Sequence, residues 1–96
     1  MRAVIWLGPR EMRLQDMADP IPGPDEVVLR VKAVGICGSE LAGYLGQNSL
    51  RVPPLVMGHE FAGEVLACGA GVTHLTVGDE LGVNPLLSCG ACEHCL

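Results

Sequence analysis

Leu55-Val56-Met57-Gly58-His59-Glu60-Phe61-Ala62-Gly63 joins an apolar run to a strand-like segment through a glycine. It sets an imidazole and a carboxylate side by side at the junction. Two other segments carry related chemistry. Upstream, Gly35-Ile36-Cys37-Gly38-Ser39-Glu40 places a thiol between two glycines, with a hydroxyl and an acid behind it. Downstream, Cys89-Gly90-Ala91-Cys92-Glu93-His94-Cys95 carries three thiols spaced three residues apart. Thiolate and imidazole are the donors zinc prefers. The working idea is a metal site on Cys37 and His59, with a second thiol cluster in the terminal loop.

Outward from His59, residues 61–67 predict a strand with Phe61, Val65 and Ala67 on one face and Glu64 on the other. Residues 26–34 predict the clearest strand, Val27, Leu29, Val31 and Ala33 facing one way and Arg30 and Lys32 the other. Residues 2–7 and 11–17 predict two more, joined by a hairpin through Gly8-Pro9-Arg10, and residues 80–83 a short one after the turn Thr76-Val77-Gly78-Asp79. Ser39 to Tyr44 predicts one or two helical turns with Ser39 at the N-cap. Pro20, Pro22 and Pro24 remove donors and hold an extended loop. Residues 46–54 and everything from Pro85 onward read as loop. Many short strands with Gly and Pro turns predict an all-β (mainly β) chain, a barrel or a sandwich. No strand, glycine-rich turn and helix follow one another in the order that binds a dinucleotide.

A length of 96 residues allows one domain, and an apolar share of 49% allows it a core, though a small one. The charge of −5, with no cluster of Lys or Arg, speaks against a nucleic-acid partner. No apolar run approaches a membrane span. The apolar segment behind Met1 is too short for an export signal. The expected compartment is therefore the cytoplasm, where five cysteines are more often metal ligands or buried thiols than disulfides.

Taken alone, Cys37 and His59 read first as a buried thiol and a satisfied core histidine, and second as ligands. Glu60, adjacent to His59, reads as a ligand, as an acid behind the ligands or as a surface residue. Glu40 reads either as the carboxylate that accepts from the second ring nitrogen of His59 or as an exposed helix acid. Cys89, Cys92 and Cys95 are a stronger signal, because three thiols on one loop can wrap a metal ion. A structural zinc needs a fourth ligand, and His94 is poorly placed to be it. Cys68 reads as core and His74 as surface.

The run from Gly58 to Gly63, with Gly69 and Val72, resembles the zinc-binding signature of the medium-chain, zinc-dependent alcohol dehydrogenases. Gly35-Ile36-Cys37-Gly38-Ser39 resembles their other ligand motif, and Gly78-Asp79 the turn before their structural-zinc loop. Cys89, Cys92 and Cys95 match three of that loop's four cysteines. The resemblance implies a GroES-like, partly open β-barrel with one short helix and a cysteine-rich terminal loop. It implies catalytic zinc on Cys37 and His59, with Glu60 a nearby or alternate ligand and Ser39 a relay for the alcohol proton. Structural zinc would sit on Cys89, Cys92 and Cys95. Residues 1–96 would then be the N-terminal catalytic-domain portion, ending within the structural-zinc loop. NAD or NADP would bind in a nucleotide-binding domain of the longer parent, absent from this chain.

Two departures stand out. Glu40 occupies a position where the family usually has aspartate, and Ala42 one where many members have a histidine that passes the proton on. Pro53-Pro54-Leu55 and Pro85-Leu86-Leu87 are closest to the polyol and sugar-alcohol branch, galactitol-phosphate dehydrogenases included. The expected partners are a small-molecule alcohol or polyol and further copies of the chain in a homo-oligomer. A stand-alone zinc-binding module is one alternative, told apart by whether a metal at Cys37 and His59 keeps a position open for water or substrate. A co-chaperonin-like assembly protein is the other, and nothing in one calls for Cys37, His59 and the terminal cysteines together.

Overall fold

Antiparallel pairing organises the chain, as its short alternating segments lead one to expect. The computed structural model describes residues 1–95; Leu96, the last residue of the expected domain, lies outside them. Strand β1 (Arg2–Gly8) pairs with β2 (Glu11–Asp16) across a turn at Pro9 and Arg10. Strands β3 (Val27–Gly35), β4 (Glu60–Cys68) and β5 (Glu80–Gly82) form a second antiparallel sheet with β4 in the middle. Helix α1 (Gly38–Tyr44) lies between β3 and β4 in the chain. The fold is mainly β with one short helix and a cysteine-bearing terminal loop. Its barrel is open, because the strands divide into two separate sheets among the described residues.

Trp6 joins the two halves. Its backbone exchanges hydrogen bonds of 2.8 and 3.0 Å with Leu55, the residue that opens the apolar run leading to His59. Its ring is 2% exposed, and the indole Nε1–H donates to the Tyr44 carbonyl at 3.3 Å. The Arg10 N–H donates to the same carbonyl at 2.8 Å, and the Tyr44 hydroxyl donates back to the Arg10 carbonyl at 3.1 Å. A carbonyl near a helix end, which lacks an intrahelical partner, thereby anchors α1 to the first hairpin. Among the described residues the buried apolar side chains are Ile5, Trp6 and Val65.

Two expectations are corrected here. The inside–outside alternation assigned to β3 fails in its second half: Val31 and Ala33 are exposed. Arg30 to Gly35 are all exposed, so neither face of β3 is covered along this half and the alternation has no inside to mark. The register shifts between Val28 and Leu29 and again between Val31 and Ala33, where Lys32 is left without an opposite residue. The bulged Lys32 reaches Glu80 at 3.0 Å and Glu64 at 3.4 Å, and those two carboxylates hold its ammonium above the usual lysine range. The second correction concerns α1, whose N-cap is Cys37 and not Ser39. Glu40, three residues on, turns back so that its Oε2 accepts from the Cys37 N–H at 2.6 Å, as in a capping box.

No helix among the described residues is long and apolar enough to cross a membrane.

Because so few side chains are buried, each should weigh heavily. Trp6→Ala should cost about 3–5 kcal/mol, seen as a lower denaturant midpoint or as outright unfolding. Trp6→Phe, which keeps a ring but loses the N–H, should cost less. A Trp6→Ala midpoint equal to that of the parent would show that the two sheets do not depend on this side chain.

Candidate metal centre

The β3–β4 register builds the site. Gly35, the last residue of β3, lies opposite Glu60, the first of β4. Cys37 follows shortly after the one and His59 directly precedes the other, so antiparallel pairing brings both to one end of the sheet. Gly58 enters with φ +127°, a backbone that side chains rarely adopt, and turns the chain into β4 at His59. At Cys37 the backbone is extended, with φ −84° and ψ 157°, and Gly38 is already helical. The bend at this thiol is the start of α1.

One donor atom each from Cys37, Glu40 and His59 lie within 4.8 Å of one another. His59 Nδ1 lies 2.7 Å from Glu40 Oε1. Glu40 is not the exposed helix acid of the alternative reading; its side chain is 12% exposed. Burial pushes its carboxyl up, but the Cys37 N–H and the neighbouring His59 and Arg51 outweigh that and hold it below the usual carboxylate range. Oε1 is buried and lacks an aligned hydrogen-bond partner. A thiol and an imidazole brought together are donors that suit zinc, and the buried carboxylate beside Nδ1 is placed to orient the ring.

The other expected residues stand further out. Glu60 Oε1 is 4.0 Å from His59 Nε2, on a half-exposed side chain that can swing. Ser39 is half-buried, and its Oγ accepts from Arg51 Nη2 at 3.3 Å. Arg51 was not singled out from the sequence, where the only signal is a cation between Leu50 and Val52 in a loop. Beside the centre, between the first hairpin, the end of β3 and α1, runs a cleft of about 670 Å³. Val4, Met12, Val34, Ile36 and Leu41 give it apolar walls, and Glu40 is its carboxylate.

In the terminal loop the three sulfurs converge. Cys92 Sγ and Cys89 Sγ lie 3.4 and 3.6 Å from Cys95 Sγ. Thiolates at the corners of a tetrahedron with Zn–S near 2.3 Å would lie about 3.8 Å apart, so this spacing needs little adjustment. The backbone N–H groups of Ala91 and Cys92, then the Cys92 and Cys95 thiols, lower the Cys89 thiol to about 6. The Gly90 N–H acts first among the groups that lower Cys95. The donor set fits a zinc ion, and no fourth donor joins it among the described residues. His94 is turned out to solvent beside Glu93. Cys68 is half-buried, with its Sγ 3.7 Å from the Leu75 carbonyl, and His74 is exposed.

Comparison with known proteins bears on this arrangement. The family model for the alcohol dehydrogenase GroES-like domain matches residues 23–96. Sorbitol dehydrogenase of Bacillus subtilis (strain 168) is 40% identical over 98 residues, covering 99% of this chain and 28% of that protein. Galactitol-1-phosphate dehydrogenase from Escherichia coli superposes with a TM-score of 0.90 at 33% identity, over 99% of this chain and 28% of its own. A candidate zinc-binding dehydrogenase from Sinorhizobium meliloti 1021, solved with NADP bound, gives a TM-score of 0.88 at 33% identity, over 98% of this chain and 27% of its own. The chain thus spans about 28% of the length of the curated relatives it matches.

The lowered thiol gives a pH prediction. Below its folded pKa a thiol is protonated and unreactive; above it, the thiolate attacks. Iodoacetamide labelling of Cys89 in metal-free protein should therefore reach half its maximal rate near pH 6. Denatured protein should need a pH near the ordinary cysteine value of about 8.5. Coincident profiles would show that the loop's N–H groups do not point at the sulfur.

Proposed function

We propose a function for this chain from the family to which it belongs, the alcohol dehydrogenase GroES-like domain family. It is the N-terminal catalytic-domain portion of a zinc-dependent dehydrogenase that oxidises an alcohol or polyol with NAD or NADP when the whole protein is present. The observation that carries this reading is the convergence of Cys37 and His59 at one end of the sheet, with the buried Glu40 carboxylate 2.7 Å from His59 Nδ1.

Cys37 and His59 would hold the catalytic zinc. Glu60, half-exposed and 4.0 Å from the His59 ring, would be the alternate ligand. Glu40 sits on the Nδ1 side of the imidazole and orients the ring so that Nε2 is free for the metal. Ser39 offers a hydroxyl to the alcohol proton. The cleft beside Glu40 offers apolar walls to the carbon skeleton of an alcohol. When bound, zinc supplies Lewis acidity at the alcohol oxygen and the nicotinamide accepts the hydride. Cys89, Cys92 and Cys95 hold a structural zinc whose fourth donor comes from elsewhere. The nucleotide-binding domain belongs to the remaining length of the parent protein. The polyol branch is supported by the sorbitol and galactitol-phosphate relatives.

The test uses the full-length parent with NAD or NADP and a panel of alcohols and polyols. Cys37→Ala or His59→Ala should lower kcat/KM by more than the 10–100-fold typical of changes behind a ligand. The 96-residue chain alone should take up zinc without turnover, since nothing in it holds a nicotinamide at near-attack distance. Full activity in Cys37→Ala would overturn the assignment of the centre. Zinc-dependent turnover by the isolated chain would overturn the placement of the cofactor.

A further inference from the structure

Arg51 is placed against expectation for its loop. Its neighbours Leu50 and Val52 are 90% and 69% exposed, whereas the Arg51 side chain is 16% exposed. The loop leaves two apolar residues in water and turns its cation inward. Local hydrogen bonds set that turn: Asn48 Oδ1 accepts from the Leu50 N–H at 3.0 Å, and the Arg51 N–H donates to the Asn48 carbonyl at 3.1 Å. The guanidinium then lies along α1 with Nη2 3.3 Å from Ser39 Oγ and 3.6 Å from Glu40 Oε1.

The helix is shaped to admit it. Gly43 is the buried residue of α1. A Cβ there would run into Arg51 Cδ and lie 2.8 Å from Arg51 Nε and 3.2 Å from Met57 Sδ. Glycine is a poor helix interior residue compared with alanine, so this position trades helix propensity for the seat of an arginine. A cation moved out of water needs a partner, and the partner present is Glu40, the carboxylate that also faces His59.

We propose that Arg51 is a positioning residue of the Cys37–His59 centre, holding Ser39 Oγ and Glu40 Oε1, and through Glu40 the His59 ring, in the arrangement that binds the metal. The proposal rests on the zinc reading of that centre. Arg51 offsets the negative charge of Glu40, which otherwise stands beside the Cys37 thiolate and would repel it. Both contacts come from one terminal nitrogen, Nη2, at the tip of a rigid planar group, and a lysine ammonium on a flexible stem is held there less firmly. Ser39 and Glu40 are neighbours on α1, so one guanidinium ties together the hydroxyl and the carboxylate of the centre.

Zinc affinity of the full-length protein, measured by competition with a chromophoric chelator, tests this. Cys37→Ala serves as the blank that reports the Cys89 loop alone. Arg51→Gln should weaken zinc at the Cys37–His59 centre by about 10–100-fold and leave the loop's affinity unchanged. Arg51→Lys should recover only part of the loss. The double variant Arg51→Gln/Glu40→Gln should lose less than the sum of the two single changes, because the two side chains share one contact. Gly43→Ala fills the seat of Arg51 while favouring the helix, and should show the same loss. It also serves as the test should Arg51→Gln fail to fold. Parental affinity in Arg51→Gln or Gly43→Ala, full additivity with Glu40→Gln, or equal weakening of both metal centres would each overturn the proposal. A parent protein indistinguishable from the Cys37→Ala blank would instead overturn the zinc reading itself.

Discussion

Everything at the candidate centre depends on the pairing of Gly35 with Glu60 across β3 and β4. Cys37 and His59 are far apart in sequence, and the sheet brings them together by where its ladder ends. A shift of one residue would turn every side chain of a strand to the opposite face and carry His59 away from Cys37. The ladder contains two irregularities, yet it reaches its final pairs, Val34 with Phe61 and Gly35 with Glu60, in the offset with which it starts at Val27 and Cys68. The first shift and the second cancel. The bulges therefore bend the sheet without moving its functional end.

Glu40 ties local structure to the centre. One carboxylate oxygen caps the helix by accepting from the Cys37 N–H; the other faces His59 and Arg51. Reaching back from the third helical position to the cap is what a glutamate does in a capping box. An aspartate is one methylene shorter and would reach less far back toward the Cys37 N–H. The departure from the usual aspartate noted in the sequence thus has a structural use: the residue that starts α1 and the residue that orients His59 are one. A helix this short has little intrinsic stability, and its cap, the Tyr44 carbonyl bonds and the Arg51 contact supply what propensity does not.

Much of this was legible in the sequence. The strands, the helix and the terminal cysteine loop follow from alternation, turn residues and thiol spacing, and they stand within a residue or two of expectation. That neither side of β3 would be covered beyond Leu29 was not legible, because an alternating pattern marks a strand's two faces and not whether another element packs on either. The N-cap was misplaced because serine is the better capping residue by type, while here the cap's N–H is satisfied by a side chain three residues on. Glu40 could be named as a partner of His59 but not separated from an exposed acid, since burial depends on how the loop of residues 46–54 folds over α1. Arg51 was not legible for the same reason. Nothing in a loop's composition says that its cation turns inward and its leucine outward.

The core explains why the two thiol-bearing centres matter beyond chemistry. Ile5, Trp6 and Val65 are buried, while Val31, Val34, Ile36 and Leu41 stay largely in water. A fold of this length gains little from burial and sits near the edge of stability. Groups that bind only the folded state add to stability by mass action. A metal held as proposed between Cys37 and His59 would staple the end of β3 to the start of β4, at the pair on which the register depends. One held by Cys89, Cys92 and Cys95 would close a loop that has no strand of its own. Function and folding then rest on the same few side chains. Cys37 and His59 sit where strands end, because there a hydrogen-bonded ladder fixes the backbone and the side chain remains free to face a ligand.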